Sequence, residues 1–355
     1  MCHHKASAGS FARLLKLSLT EQSKQHVFLD SDDLVDLNNL FMYVKSSVHT
    51  LTILCTKEVL YSLWCLGELA VARLSSVDIL PIFWVDFGEV EDQFIEQVDA
   101  YVGLDKLTET GLSLEDIRRG LQYLQNPNAS IQLPDVLTEA SLQELIKSIK
   151  TTSALRLSMM EVNSQSKSMR LTKMMIGGRS TEHWTHAVLV DLQNQEAIAG
   201  GLILVKMLRP LFTDGTVRSF FVAGLDSLVD GRPIQIPLSV TAAILLCTSG
   251  CFSSQRFLQV IVVAVLGKVP HILPAAANKD FAFPGIAFYV DLEITVKQLC
   301  VAAGAAPEGS LLTSFVKSIF QKIFMHFFVL DSKTILGTQA RIIHDRLAQH
   351  SASPA

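Results

Sequence analysis

The feature that most constrains the fold of this chain is an internal repeat. Ile53-Leu54-Cys55-Thr56 is answered by Leu245-Leu246-Cys247-Thr248, 192 positions further on, and Ile79-Leu80-Pro81 by Ile272-Leu273-Pro274, 193 further on. Ala8-Gly9 with Lys16 is matched by Ala199-Gly200 with Lys206, and Asp86-Phe87 by Asp280-Phe281. Each match alone is short enough for chance. Their common order and near-constant offset point to duplication of one unit.

The content of each copy says what that unit is. Val27–Leu29, Thr52–Cys55 and Ile79–Phe83 are strand-length apolar runs, separated by the helix-length segments Leu34–Val44 and Leu63–Leu74. In the second half, Ala187–Leu192, Ser219–Val222, Ala243–Cys247 and His271–Leu273 read as strands, with helices over Ala199–Leu208 and Phe257–Leu266. Alternation of this kind predicts a parallel sheet flanked by helices, an α/β fold, in each half. The expected organisation is a domain over 1–150, a linker over 151–182 and a second domain over 183–350. The linker segment is rich in Ser, Thr, Met and basic residues, with a short helix over Leu155–Val162. Alignment on the second copy puts Met1-Cys2 at the very end of the first strand. The expectation is therefore that copy one lacks this strand and that the chain is a fragment or starts too late.

Composition narrows the function. Of 355 residues, 49% are hydrophobic and 18% charged, enough for two cores and too apolar for wholesale disorder. Thirty basic against 34 acidic residues leave a net charge of −4, no footprint for nucleic acid or an anionic membrane surface. No membrane span is expected: Pro233–Gln255 is interrupted by polar residues, Phe257–Gly267 is too short, and Phe315–Leu330 carries Lys317, Gln321, Lys322 and His326. The first ten residues lack a signal-peptide core, and the six cysteines show no paired spacing. A cytoplasmic, reducing location follows as the expectation.

Chemistry is most legible around Leu54-Cys55-Thr56 and Ser62-Leu63-Trp64-Cys65-Leu66-Gly67-Glu68-Leu69. Ligands of open parallel sheets bind beyond the carboxyl ends of the strands, and Glu68 lies in the opening turns of the helix after such a strand. A carboxylate there also gains up to ~1 kcal/mol from the helix dipole. By helical pattern alone, Leu66, Leu69, Ala70 and Leu74 form the buried stripe, and Glu68 projects to the opposite, solvated side. Trp64 shares a face with Glu68 but reads as a packing residue, and Cys65 as a small buried hydrophobe. His3-His4, His183-x-x-His186 and Cys247-x-x-x-Cys251 lack the partners of a metal set, so no metal is expected. Asp30, Asp32 and Asp33 lack calcium-loop spacing and read as a turn and helix start.

Together, Phe28-Leu29-Asp30-Ser31-Asp32-Asp33-Leu34, Leu54-Cys55-Thr56 and Trp64-Cys65-Leu66-Gly67-Glu68-Leu69 resemble the TIR (Toll/interleukin receptor) domain. Lys5-Ala6-x-Ala8-Gly9 with Phe11-Ala12-Arg13-Leu14-Leu15 is similar to that family's first loop and helix. The resemblance covers about residues 1–150. It implies a flavodoxin-like fold with a five-stranded parallel sheet of order 2-1-3-4-5, and signalling through association with other TIR domains, including homo-oligomers. Enzymatic members cleave the nicotinamide–ribose bond of NAD+, which makes NAD+ a substrate rather than a cofactor. By resemblance, Glu68 is the catalytic residue, stabilising an oxocarbenium-like ribose, with Asp30, Ser31, Trp64, Cys65 and Lys5 around the substrate.

The second copy departs at the decisive place. With Thr56 set on Thr248, Glu68 falls on Val260, and its neighbours Gln259 and Ile261 are not carboxylates either. Copy two reads as a degenerate TIR-like domain. The sequence thus supports a tandem signalling protein with NAD+ glycohydrolase activity in copy one, against a non-enzymatic adapter in which both copies only bind. An open crevice at Glu68 is required by the first, and a filled one by the second.

Overall fold

The computed structural model describes residues 1–355 apart from 24–25, 35, 37–38, 160–183, 213–218, 284, 303–308, 323 and 353–355. The chain divides into two units, Met1–Ile176 and Gly177–Ala355. Both are α/β, each with a parallel sheet flanked by helices.

The first unit opens with α1 (Lys5–Gln22), a single helical turn over Asp30–Asp33, and α2 (Leu40–Ser47). Strand β1 (Thr50–Cys55) leads through a 3-10 turn into α3 (Leu63–Leu74), then β2 (Asp78–Phe83). Three short helices precede α4 (Leu114–Gln125), the two-residue β3 (Ile131–Gln132) and α5 (Glu139–Met159). The sheet order is β1-β2-β3. Helix α3 starts where expected because Ser62 caps it, its hydroxyl accepting the Cys65 N–H at 3.4 Å. It packs on α4, which begins in a Ser113–Asp116 capping box.

One expectation for this unit is corrected. Val27–Leu29 is not a strand; it meets the chain start through one hydrogen bond, the Met1 amine donating to the Phe28 carbonyl at 2.7 Å, and one bond builds no ladder. Helix α5 runs through the first nine positions assigned to the linker, and 160–182 lie outside the described residues. The first strand itself is reduced to a single bridge. The Cys2 N–H donates to the Thr52 carbonyl at 2.8 Å, and the Leu54 N–H donates to the Cys2 carbonyl at 2.9 Å.

The second unit holds β4 (Trp184–Leu189), α6 (Gln195–Leu208), β5 (Ser219–Val222), β6 (Ala242–Cys247), α7 (Gln255–Leu266) and β7 (His271–Ala276). Helix α8 (Ile286–Ala302), α9 (Gly309–Phe320), the short β8 (Met325–His326) and α10 (Lys333–Ala352) complete it. Its five strands run β5-β4-β6-β7-β8, every pairing parallel, an arrangement compatible with flavodoxin-like folds. No helix among the described residues is long and apolar enough to cross a membrane.

The repeat extends well beyond the matched sequence. Strands β1 and β6 have the same length at an offset of 192, as do α3 and α7, whose caps Ser62 and Ser254 coincide. Each two-residue edge strand pairs at the same register: Ile82 with Ile131, Ala275 with Met325. Cys2 bridges Ile53 as Leu189 pairs with Leu245. Even the loop hydrogen bonds recur, Trp84 N–H to the Cys55 carbonyl at 3.0 Å and Ala277 N–H to the Cys247 carbonyl at 2.8 Å.

Candidate functional site

The site builds from the N-terminal segment and α3. Residues Cys65 through Ala72 of α3 are all buried, because α2, α4 and β2 pack against the helix and the Met1–His3 segment with Asp30 lies beside Glu68 and Cys65. Glu68 is therefore only 7% exposed. This overturns the solvated position that helical pattern assigned to it, while Leu74, placed on the buried stripe, is 54% exposed. A stripe rule assumes one packed face, and α3 has packing nearly all round.

Glycine at 67 is what lets α3 sit this close to its neighbours. A Cβ there would lie 2.3 Å from the Phe41 ring and 2.8 Å from a Leu107 methyl. Phe41 in turn packs on Trp64, ring centroids 5.7 Å apart, so Trp64 is half-buried in side-chain packing.

Burial dominates the electrostatics of Glu68. Desolvation pushes its carboxyl up to about 7; the N-terminal amine and the Cys2 thiol pull the other way, and the Asp30 carboxylate adds to the rise. Two thiols adjoin it. Cys2 lies at 0% exposure and Cys65 at 3%, and the ligand atoms of Cys2, Cys65 and Glu68 all lie within 4.8 Å of one another. The Cys65 thiol donates to the His3 carbonyl at 3.3 Å, and the Cys2 thiol contacts the Cys65 carbonyl at 3.9 Å. Its hydrogen bond to Cys65, together with burial, holds the Cys2 thiol well above the usual range. Burial also lowers His3 to about 4, so its ring is neutral where it faces Asp30, Nδ1 to Oδ1 at 3.8 Å.

Of the residues read from the sequence, Glu68, Cys65 and Asp30 come together here. Ser31 and Lys5 are exposed, Ser31 on the one-turn helix and Lys5 at the first position of α1. Cys2 was missed, because a thiol pair 63 residues apart has no spacing to betray it, and His3, set aside as half of a histidine pair, lies beside the cluster. Of the histidine pairs set aside, His186 is buried in β4 and His183 lies outside the described residues.

In the second unit the same corner is apolar. Leu189, Phe257 and Val260 stand where the first unit has Cys2, Cys65 and Glu68, each fully buried. That unit instead shows apolar surface elsewhere: Ile286, Val290 and Ile294 lie four residues apart on α8 and are 87%, 61% and 59% exposed. The corresponding positions of the first unit, Asp92, Glu96 and Ala100, form no such stripe.

No family model matches the chain, and no curated protein matches it. What fold and geometry define is an α/β protein of two parallel-sheet units, one with a closed polar corner and the other with an exposed apolar helix face.

Proposed function

We propose that the chain is a tandem TIR-type signalling protein of the cytoplasm that works by association with TIR domains, second copies of itself included, without NAD+ cleavage. The observation that carries association is the Ile286–Val290–Ile294 stripe, an apolar row on a surface helix of the kind that marks a protein–protein contact. Support for the TIR reading comes from the all-parallel sheets, whose order in the second unit runs 2-1-3-4-5 by chain position, and from the Trp-Cys-x-x-Glu-Leu segment lying on the helix after β1. Burial of Glu68 argues against catalysis. Oxocarbenium stabilisation calls for an ionised carboxylate facing a substrate cleft, and this one is enclosed by Cys2 and α3 and raised toward neutrality.

A second reading, NAD+ glycohydrolase activity at Glu68, is favoured by that same shifted carboxyl, since perturbed groups cluster at active sites. One experiment separates the two. The full chain is sedimented over a range of concentrations and incubated with NAD+ at the highest, beside Val290→Glu and Glu68→Gln. Association weakened by Val290→Glu, with NAD+ intact, is the expected result. Nicotinamide release abolished by Glu68→Gln replaces it with the second reading, and a non-associating chain that leaves NAD+ untouched sinks both.

A further inference from the structure

Cys2, Cys65 and Glu68 raise a question that packing does not answer. All three positions lie inside the first unit, where polar groups cost free energy unless something offsets their desolvation. The second unit fills the equivalent places with Leu189, Phe257 and Val260 and builds the same strand pairing and the same helix. The fold therefore has no need of a thiol, a second thiol and a carboxyl at this point. Three substitutions converge on one spot, and each supplies a metal-ligating side chain.

We propose that Cys2, Cys65 and Glu68 form a binding site for a zinc ion, which ties the N-terminal segment to α3. The donor set suits zinc, which takes thiolate sulfur and carboxylate oxygen, whereas magnesium and calcium want oxygen alone. The geometry suits it as well. Ligand atoms around tetrahedral zinc stand about 3.3–3.8 Å apart, from metal–ligand bonds of about 2.0–2.3 Å, and these three lie within 4.8 Å of one another. Three protein ligands leave a fourth position for water, as in open zinc sites. Without metal, the Cys65 thiol donates to the His3 carbonyl; binding zinc as thiolate releases that proton and exchanges this bond for the metal–sulfur bond, while the His3 ring facing Asp30 borders the cluster.

The proposal stands apart from association and from NAD+ chemistry. It is tested on the full chain, purified anaerobically, reduced, stripped with chelator and titrated with Zn(II), then with Co(II) as a coloured substitute. One equivalent of metal and a thiolate-to-cobalt charge-transfer band are expected. Removing a ligand should weaken binding by more than about 100-fold, since outer-shell partners alone are worth 10–100-fold. Cys65→Ser removes a thiolate, and Glu68→Val copies the residue with which the second unit folds; circular dichroism confirms that each variant is folded. Absence of stoichiometric zinc, unchanged affinity in a folded Glu68→Val chain, or a Cys2–Cys65 disulfide in the anaerobically isolated protein would each overturn the assignment.

Discussion

The two units use one scaffold, but their interiors differ in polarity, and the differences cluster. Around α1 and α3, the first unit buries Arg13, Cys2, Cys65 and Glu68; the second places Leu204, Leu189, Phe257 and Val260 at the equivalent positions. All eight are nearly inaccessible. Since the apolar version builds the same central strand pair and the same helix after its first strand, the polar version is an addition to that part of the fold and not a requirement of it. Polarity at the surface is reversed: the apolar stripe on α8 has acidic counterparts, Asp92 and Glu96, in the first unit.

At Arg13 the first unit buries a full charge where the second has Leu204. Its guanidinium, 2% exposed, hydrogen-bonds Asp32, which Lys16 also contacts at 3.2 Å. Asp32→Ala takes a charged hydrogen-bond partner from the buried guanidinium and should destabilise the first unit by about 1–3 kcal/mol. Arg13→Leu, which copies the second unit, should cost much less, because Asp32 keeps Lys16. Urea denaturation followed by hydrogen exchange in each unit reads both effects; equal losses from the two variants would show that Arg13 is structurally indispensable.

Acidity sharpens the contrast next. The folded pKa of Glu68, about 7, lies above the ordinary 4.5, so between those values the folded chain keeps a proton that the unfolded chain has released. The stability this contributes is full below pH 4.5 and is lost as pH rises through 7. In metal-free protein, the first unit should therefore weaken relative to Glu68→Gln by about 3 kcal/mol across that range. His3, lowered to about 4, acts in the opposite sense, its contribution being lost as pH falls from 6.5 through 4. That slope is common to both chains and cancels. The second unit, with Val260, should show no such difference, and a flat comparison in the first unit would remove the buried-carboxyl account.

Close packing gives a smaller effect. Gly67→Ala places a methyl against Phe41 and Leu107 and should cost about 1–3 kcal/mol. At the equivalent position the second unit carries Gln259, partly exposed, and Gln259→Ala should change little. Thermal melts of the two variants make the check.

How far the sequence revealed this architecture can be traced residue by residue. Leu63–Leu74 and Ser219–Val222 form the helix and the strand that their patterns predict, because capping, chain length and β-branched or aromatic content act locally. Strands β3 and β8 are two residues long and carry no period to detect; only their shared register beside β2 and β7 exposes them as a repeated pair. Val27–Leu29 had a strand's composition but depended on a neighbour, and pairing is a property of two segments. Glu68 was found as a candidate, yet its burial was not legible. The residues that cover it, Cys2, His3 and Asp30, come from elsewhere in the chain. For the same reason the thiol pair stayed hidden.

By comparison with the apolar corner of the second unit, the polar corner at Cys2, Cys65 and Glu68 is dispensable for folding. Its most direct test is native-state hydrogen exchange of the metal-free full chain at pH 7, wild type against Glu68→Val. If the claim holds, protection of β1 and α3 rises by about 1–3 kcal/mol as a buried carboxyl gives way to an apolar side chain, while β6 and α7 are unchanged. Loss of protection throughout β1 and α3 would contradict it, showing that the first unit, unlike the second, relies on Glu68 to fold.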